Sequence, residues 1–171
     1  MTFPNTAESY NRQVPRITVI GTGYVGLSTG ACLAHLGHDV TCADVDTAKV
    51  EQLSRGSVPI VEDGLDALVS DGLKAGNLRF TTDVAAAAAS AEIVFLCLPT
   101  PQGEDGSADL SYVEQVVDQV GGLLAPGAVL VNKSTVPVGT AVSVRGRIGR
   151  TDIAVVSNPE FLRQGTAVRD F

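Results

Sequence analysis

The sequence contains few cysteines and few basic residues. Its three cysteines, Cys32, Cys42 and Cys97, are odd in number and lack the spacing of metal ligands, which excludes a disulfide framework. Twelve basic residues against nineteen acidic residues give a net charge of -7, which is unfavourable for binding the phosphates of DNA or RNA. We therefore expect a protein of the reducing cytoplasm, without a nucleic-acid partner or a metal ion.

Membrane and secretion signals are also lacking. No stretch approaches the roughly 18 consecutive apolar residues that a membrane-spanning helix needs. Residues 1–15 do not combine a basic segment with a following apolar one, as a secretion signal does. They are polar and show no periodicity, so we expect a flexible leader. Residues 16–171 fit one folded domain, because 44% of the chain is hydrophobic and 18% is charged.

Short β-branched runs alternate with longer amphipathic segments after the leader. This alternation is typical of βαβ units on a parallel sheet, and several runs are almost wholly apolar, as strands buried on both faces are. We predict a Rossmann-like, doubly wound α/β domain with three layers and a mainly parallel sheet. The six predicted strands are residues 17–20, 40–43, 78–81, 93–98, 129–132 and 153–156.

Local signals predict the ends of two helices. Ser111 and Glu114 have the spacing of a capping box, which predicts a helix from Ser111 to about Leu124. Asp83 precedes an alanine run over residues 85–89, which predicts a short helix capped by the aspartate.

The first predicted strand leads directly into GTGYVG at residues 21–26, and an apolar helix pattern follows. In a strand-turn-helix unit, Gly21 permits the tight turn, Gly23 lets the backbone approach a pyrophosphate, and Gly26 allows close packing of the helix. The N–H groups and the dipole at the N-terminus of the helix favour the same anion. The motif predicts a dinucleotide-binding site.

A carboxylate follows the second predicted strand. Asp44 stands 18 residues after Gly26, where it can accept hydrogen bonds from the ribose hydroxyls of the adenosine. Its charge would repel the 2′-phosphate of NADP, so we predict NAD as the cofactor. Asp46 competes for this role, but its position favours capping a helix that begins near Thr47.

Several ordered segments together resemble the N-terminal domain of the UDP-glucose 6-dehydrogenase family, which belongs to the nucleotide-sugar dehydrogenases. KSTVPVGT and NPEFLR are the most specific segments, because a generic dinucleotide fold requires neither. PIVEDGL offers only Glu62 and Asp63 as chemical groups, and we interpret it as a loop and a helix start. The matching segments are GTGYVGL at 21–27, DVD at 44–46, PIVEDGL at 59–65, LPTP at 98–101, KSTVPVGT at 133–140 and NPEFLRQGTAVRDF at 158–171.

The resemblance implies oxidation of UDP-glucose to UDP-glucuronate with two NAD and one water. In that family a cysteine thiolate captures the intermediate aldehyde, which is oxidised to a thioester and hydrolysed. In the family this cysteine belongs to a later domain, so the resemblance implies that it lies beyond residue 171. The three cysteines of this chain fall in predicted helix or strand cores and would not replace it. We therefore expect cofactor binding without turnover by this chain alone, and a homo-oligomer only for a longer enzyme.

Two alternatives remain open. GDP-mannose 6-dehydrogenase shares NPEFLR, although its equivalent of KSTVPVGT usually departs from that sequence after the first valine. A non-catalytic dinucleotide-binding module would need the same glycine loop and the same acidic residue as the enzyme.

The resemblance also implies roles for individual residues. Thr135 would hold a water or substrate oxygen near the nicotinamide, where a hydroxyl can donate or accept without changing charge. Lys49 would favour a cofactor phosphate. At Gln164 the family usually has a second glutamate, and because an amide does not take up a proton near neutral pH, a general-base role there is in doubt. The implied sets are Gly21, Gly23, Tyr24, Val25, Gly26, Asp44, Lys49, Thr100, Ser134 and Thr135 for NAD, Glu160, Phe161, Leu162 and Arg163 for a nucleotide sugar such as UDP-glucose, and Thr135, Glu160 and Gln164 for catalysis.

Overall fold

The computed structural model describes residues 14–103, 106–159 and 161–171. These residues form strands that alternate with helices along the chain, as the sequence pattern predicts. The strands are β1 (Arg16–Ile20), β2 (Asp39–Ala43), β3 (Leu78–Thr81), β4 (Ile93–Leu96), β5 (Val129–Asn132) and β6 (Ala154–Ser157). The helices are α1 (Tyr24–His35), α2 (Thr47–Ser54), α3 (Leu65–Ala75), α4 (Val84–Ser90), α5 (Ser111–Val120), α6 (Thr140–Ile148) and α7 (Ala167–Asp170).

The six strands form one sheet in the order β3-β2-β1-β4-β5-β6. All five strand pairings are parallel. The chain moves outward in one direction from β1 to β3 and in the opposite direction from β4 to β6, so the order reverses between β1 and β4. This reversal is the topological switch point at which open α/β sheets bind ligands. The predicted doubly wound fold is confirmed.

Two hydrophobic clusters cover the two faces of the sheet. One face packs against α1, α2 and α3, through side chains such as Leu27, Leu53 and Val69. The other face packs against α4, α5 and α6, where Ala88 and Val117 are buried. Because side chains alternate along a strand, the central strands β1, β2 and β4 contribute apolar residues to both clusters, which explains their nearly continuous apolar sequences. The three-layer prediction is therefore confirmed.

The fourth strand is shorter than predicted. β4 ends at Leu96, two residues before the predicted end at Leu98. The backbone of Leu98 does not continue the ladder, because the Ser134 hydroxyl lies 3.0 Å from its nitrogen and 2.8 Å from its carbonyl oxygen. A side chain thus replaces the neighbouring strand as the partner of this residue. β6 begins and ends one residue later than predicted.

The capping-box prediction for α5 is wrong. Ser111 is already the first helical residue, and its N–H donates to the side chain of Asp109 at 2.9 Å. Glu114 instead forms an ion pair with Arg147 of α6 at 2.7 Å. The helix ends at Val120 rather than near Leu124, and in the turn that follows the carbonyl oxygen of Val120 accepts from both the Leu123 N–H at 2.8 Å and the Leu124 N–H at 3.1 Å.

Two aspartates cap helices as predicted. Asp83 accepts a hydrogen bond from the N–H of Ala86 at 2.9 Å, and the alanine run forms α4. Asp46 accepts from the N–H of Lys49 at 3.1 Å at the start of α2. These bonds satisfy N–H groups that have no partner within their own helix. The assignment of Asp46 to capping leaves Asp44 as the carboxylate that faces the switch point.

Candidate functional site

A cleft of about 650 Å³ opens at the carboxyl ends of the strands, around the switch point. Its walls come from the loops that follow β1, β2, β4 and β5 and from the exposed side of α5. Most of the predicted cofactor residues lie here, although they come from distant parts of the sequence. The predicted residues that line the cleft are Gly21, Gly23, Tyr24, Val25, Asp44, Lys49, Thr100, Ser134 and Thr135.

Two glycines shape the first loop through steric requirements. Gly21 has a φ of +96°, and a Cβ at this position would overlap the carbonyl oxygen of Cys97. A Cβ at Gly26 would overlap the carbonyl oxygen of Gly21. Gly26 is buried beneath the loop and does not line the cleft, unlike the other predicted residues of the motif.

The middle glycine presents an open surface. A Cβ at Gly23 would meet no atom within 4 Å, and this glycine is the N-cap of α1 without a side-chain cap. The cleft therefore meets bare backbone at the positive end of a 12-residue helix. A pyrophosphate fits this arrangement, because a side chain at Gly23 would occupy the space that the anion needs.

Asp44 lines the cleft, and both oxygen atoms of its carboxylate accept hydrogen bonds. Its Oδ2 accepts from the N–H of Thr22 at 2.9 Å, from the Thr22 hydroxyl at 2.6 Å and from Lys49 Nζ at 3.0 Å. Its Oδ1 accepts from the N–H of Asp46 at 3.0 Å. Burial raises the pKa of Asp44, but the hydrogen bonds, led by that of the Thr22 hydroxyl, lower it to about 2. The carboxylate is therefore ionised at neutral pH, with lone pairs left on Oδ1 for a ribose hydroxyl.

Lys49 lies at the carboxylate end of the cleft. Its ammonium group pairs with Asp44, and about a third of its side chain, 32%, is exposed. The two opposite charges partly offset each other where the ribose is expected. The predicted contact of Lys49 with a cofactor phosphate stays a prediction.

The loops after β4 and β5 are joined side by side. The Thr100 hydroxyl donates to the carbonyl oxygen of Thr135 at 3.0 Å. Ser134 is buried, and its hydroxyl is bonded to the backbone of Leu98, so its side chain acts within the protein. Thr135 is exposed, and its own hydroxyl has no hydrogen-bond partner within the described ranges. It is therefore the hydroxyl of this loop pair that is available to a ligand.

The described residues of the predicted substrate segment, 161–163, lie beside the cleft and are not among those that line it. Glu160 lies outside the described residues, so its predicted roles remain predictions. Phe161 is 90% exposed, and Gln164 is exposed as well. The side chain of Arg163 pairs with Asp170 at 3.1 Å, while its carbonyl oxygen lies 3.0 Å from the Tyr24 hydroxyl. The segment thus contacts Tyr24, which lines the cleft, through its backbone.

Glu62 also lies beside the substrate segment, although the sequence analysis interpreted PIVEDGL only as a loop and a helix start. Glu62 is 7% exposed, and its carboxylate accepts hydrogen bonds from the Tyr24 hydroxyl and from the N–H groups of Gly165 and Ala167. The bond from Tyr24 lowers the pKa of Glu62 most strongly. The backbone bonds add to this effect and burial opposes it. The local sequence pattern does not predict the contacts of Glu62 with Gly165 and Ala167, which are 103 and 105 positions away.

Two further residues were missed. Thr22 is 1% exposed and gives Asp44 two hydrogen bonds, a role that its place between two glycines of the motif could have suggested. Lys133 lines the cleft, is 8% exposed, and has no ion-pair partner within the described part of the chain. It opens the KSTVPVGT segment, whose resemblance gave it no role. Its ammonium group adds a positive charge that suits an anionic ligand.

Two kinds of feature are lacking among the described residues. No group of three or more His, Cys, Asp or Glu side chains is arranged to hold a metal ion. No helix has both the length and the apolar composition required to cross a bilayer. Cys32, Cys42 and Cys97 are buried thiols, and burial raises the pKa of Cys32 to about 11. They pack as core residues, as the sequence predicts.

Comparison with known proteins agrees with this geometry. A UDP-glucose 6-dehydrogenase of Pseudomonas aeruginosa is 50% identical over 164 residues, which cover 91% of this chain and 36% of that protein. A GDP-mannose 6-dehydrogenase of Azotobacter vinelandii is 38% identical over 167 residues, which cover 91% of this chain and 38% of that protein. The structure of a UDP-glucose dehydrogenase from Pyrobaculum islandicum has a TM-score of 0.86 at 36% identity, covering 100% of this chain and 40% of that one.

The chain thus spans only 36% to 38% of the length of the two curated relatives. Its residues 15–171 match the family model described as the NAD binding domain of the UDP-glucose/GDP-mannose dehydrogenase family. This match covers the whole sheet and every loop that lines the cleft. It confirms the predicted family and the predicted cofactor, NAD. The chain belongs to the UDP-glucose/GDP-mannose dehydrogenase family and comprises its NAD-binding domain.

Proposed function

We propose that the chain supplies the cofactor half of an NAD-dependent oxidation that converts the C6 alcohol of UDP-glucose to the carboxylate of UDP-glucuronate. The observation that carries this choice is the 50% identity to a UDP-glucose 6-dehydrogenase, against 38% to a GDP-mannose 6-dehydrogenase. The second relative makes GDP-mannose the alternative substrate. Both relatives extend well beyond the matched region, so the activity belongs to a longer protein that contains this domain.

In this proposal NAD lies across the switch point and supplies the hydride acceptor. Asp44 accepts hydrogen bonds from the ribose of the adenosine, with Thr22 holding the carboxylate in place. Gly23 and the first turn of α1 receive the pyrophosphate. Lys133 adds positive charge to the wall of the cleft. The contact residues named here are supported by their common position and their chemistry.

Thr135 is the proposed catalytic hydroxyl. It is exposed at the end of β5, next to the cleft, and is held there by the bond between its carbonyl oxygen and Thr100. A hydroxyl at this point can donate to the oxygen of the reacting alcohol and later accept from water, with no change in charge. Glu160 is proposed to bind the sugar and to assist hydrolysis.

The residues after Glu160 are proposed to bind the sugar nucleotide through their backbone. This proposal covers Phe161, Leu162 and Arg163, and it is supported by the carbonyl oxygen of Arg163 that faces Tyr24. Gln164 cannot serve as a base near neutral pH, so Glu160 and a water are proposed to carry the hydrolytic step. The nucleophilic cysteine is expected outside these 171 residues.

The wider setting is also a proposal. Homo-oligomers are expected for a longer enzyme rather than for this chain. The cytoplasm is the proposed compartment, because Cys32, Cys42 and Cys97 are buried thiols that form no disulfide within the described part of the chain.

Calorimetric titration tests the cofactor site. The 171-residue chain is titrated with NAD and with NADP, alongside Asp44→Ala and the control Asp63→Ala, which removes an exposed carboxylate outside the cleft. We expect NADP to bind about tenfold or more weakly than NAD, and Asp44→Ala to lose this preference. Equal binding of both cofactors by the wild-type chain would refute the role of Asp44.

The substrate is tested with the whole product of the gene that encodes this domain. NADH formation is followed with UDP-glucose and, separately, with GDP-mannose. We expect turnover of UDP-glucose with two NADH formed for each sugar, because the alcohol passes through two oxidations. Preference for GDP-mannose would select the alternative substrate, and cofactor binding without either activity would select a non-catalytic module.

A further inference from the structure

Glu62 connects three parts of the chain that are distant in sequence. Its Oε2 atom lies 2.7 Å from the Tyr24 hydroxyl and 2.6 Å from the nitrogen of Gly165. Its Oε1 atom accepts from the N–H of Ala167 at 2.8 Å. Tyr24 is the first residue of α1, next to Gly23, whereas Gly165 and Ala167 follow the segment proposed to bind the sugar nucleotide. One carboxylate thus joins the cofactor loop to the substrate segment.

Burial and packing around Glu62 hold this connection in place. Glu62 is 7% exposed, so its hydrogen bonds are shielded from competition with water. Ala167 is fully buried, and Val168 packs against the same apolar cluster as α1 and α3. The Tyr24 hydroxyl also lies 3.0 Å from the carbonyl oxygen of Arg163. The segment therefore cannot move away from the cofactor loop without breaking bonds to Glu62 or Tyr24.

Tyr24 itself lines the cleft. A dinucleotide bound at the glycine loop would restrict the motion of this residue, and the hydrogen bonds of Glu62 would carry that restriction to the backbone at residues 165–167. Linkage requires the reverse effect as well, so a segment held in place favours cofactor binding.

We propose that Glu62 is a positioning residue that holds residues 163–168 against the glycine loop. By fixing these residues, Glu62 couples the binding of NAD to the order of the substrate segment that precedes them. Glu62 touches neither ligand in this scheme and acts through Tyr24 and the backbone. The coupling rests on the proposed function, because it requires NAD in the cleft and a sugar nucleotide at the segment.

Amide hydrogen exchange of the 171-residue chain tests the holding role without any ligand. Glu62→Gln keeps the shape of the side chain but presents an NH₂ group to N–H donors. We expect the amides of Gly165 and Ala167 to exchange about tenfold faster in this variant. The amide of Leu130, in the buried strand β5, serves as the reference for global stability. Asp63→Asn, an exposed carboxylate in the same loop, is the matched control. Unchanged exchange in Glu62→Gln would overturn the proposal.

A second arm adds saturating NAD. In the wild-type chain we expect the Gly165 and Ala167 amides to slow about fivefold relative to Leu130, and Glu62→Gln to lose this additional slowing. Persistence of the slowing in Glu62→Gln would overturn the coupling through the carboxylate. Failure of the wild-type chain to bind NAD would instead refute the proposed function, and the ligand-free comparison would still decide whether Glu62 holds the segment.

Discussion

The Thr22 hydroxyl lies 2.6 Å from the Asp44 carboxylate, and the backbone nitrogen of Thr22 lies 2.9 Å from the same oxygen atom. The residue between Gly21 and Gly23 therefore orients the acidic group at the end of the neighbouring strand. The glycine loop and the Asp44 carboxylate therefore form one hydrogen-bonded unit. Changes at Thr22 should consequently be felt at Asp44.

Thr22→Val removes the hydroxyl at nearly constant volume and leaves the backbone bond in place. We expect a loss of about 2 kcal/mol in the free energy of unfolding, because a hydrogen bond to a buried carboxylate is lost. NAD should bind about fivefold more weakly, because Asp44 is less firmly oriented. Urea unfolding and calorimetric titration measure the two effects. Thr82→Val, at an exposed position, is the control, and equal behaviour of the two variants would contradict the prediction.

Asp44 should make stability depend on pH in the acid range. Its pKa is about 2 in the folded chain, against 3.8 for an unperturbed aspartate. Since the folded value is lower, the unfolded chain binds more protons between these two values, and the stabilisation due to Asp44 is lost as the pH falls. We expect the stability difference between wild type and Asp44→Asn to be constant above about pH 5 and to shrink from about pH 4 towards about pH 2.

Urea unfolding at a series of pH values measures this difference. Subtracting the variant removes the contributions that other carboxylates make to both proteins. Asp63→Asn repeats the comparison for an exposed carboxylate. A difference for Asp44→Asn that stays constant throughout the acid range would show that the hydrogen bonds do not favour its ionised form.

Two glycine-to-alanine changes inside helices should have opposite effects. A Cβ at Gly30 of α1 would overlap the Cys42 sulfur, which is buried in β2, so Gly30→Ala should destabilise the chain by about 1 to 3 kcal/mol. A Cβ at Gly146 of α6 would meet no atom within 4 Å, and Gly146→Ala should stabilise by about 0.5 to 1 kcal/mol through helix propensity. Thermal and urea unfolding measure both. An unchanged or higher stability of Gly30→Ala would show that packing at Cys42 is loose, and a lower stability of Gly146→Ala would contradict the helix-propensity argument.

Lys133 should favour cofactor binding at the expense of stability. Its side chain is largely buried and has no ion-pair partner within the described residues. Lys133→Met should therefore raise the free energy of unfolding by about 1 kcal/mol, since a poorly solvated charge is removed. NAD should bind about tenfold more weakly, because the cleft loses a positive charge near an anionic ligand. Lys74→Met, on the surface of α3, is the control. A loss of both stability and affinity would assign Lys133 a packing role.

The sequence predicts the arrangement of strands because each buried strand is a short apolar run with a clear start. It also places Asp44 directly after the second run and Thr135 three residues after the end of the fifth. It does not predict the end of β4, where the Ser134 side chain takes over the backbone of Leu98. Nor does it predict the contacts of Glu62, because these depend on how α1, the loop before α3 and the chain after β6 pack together. Local patterns specify elements, whereas such contacts arise only in the assembled fold.

The three glycines of the loop, Gly21, Gly23 and Gly26, exclude a side chain for different reasons. This difference predicts which of them would be substituted first in proteins that descend from this domain. Gly21 and Gly26 are required by the protein's own backbone, with or without a cofactor. Gly23 faces open space, so only a ligand gives selection a reason to keep it. A lineage that abandons NAD but retains the fold should therefore preserve the outer two glycines and accumulate substitutions first at the middle one.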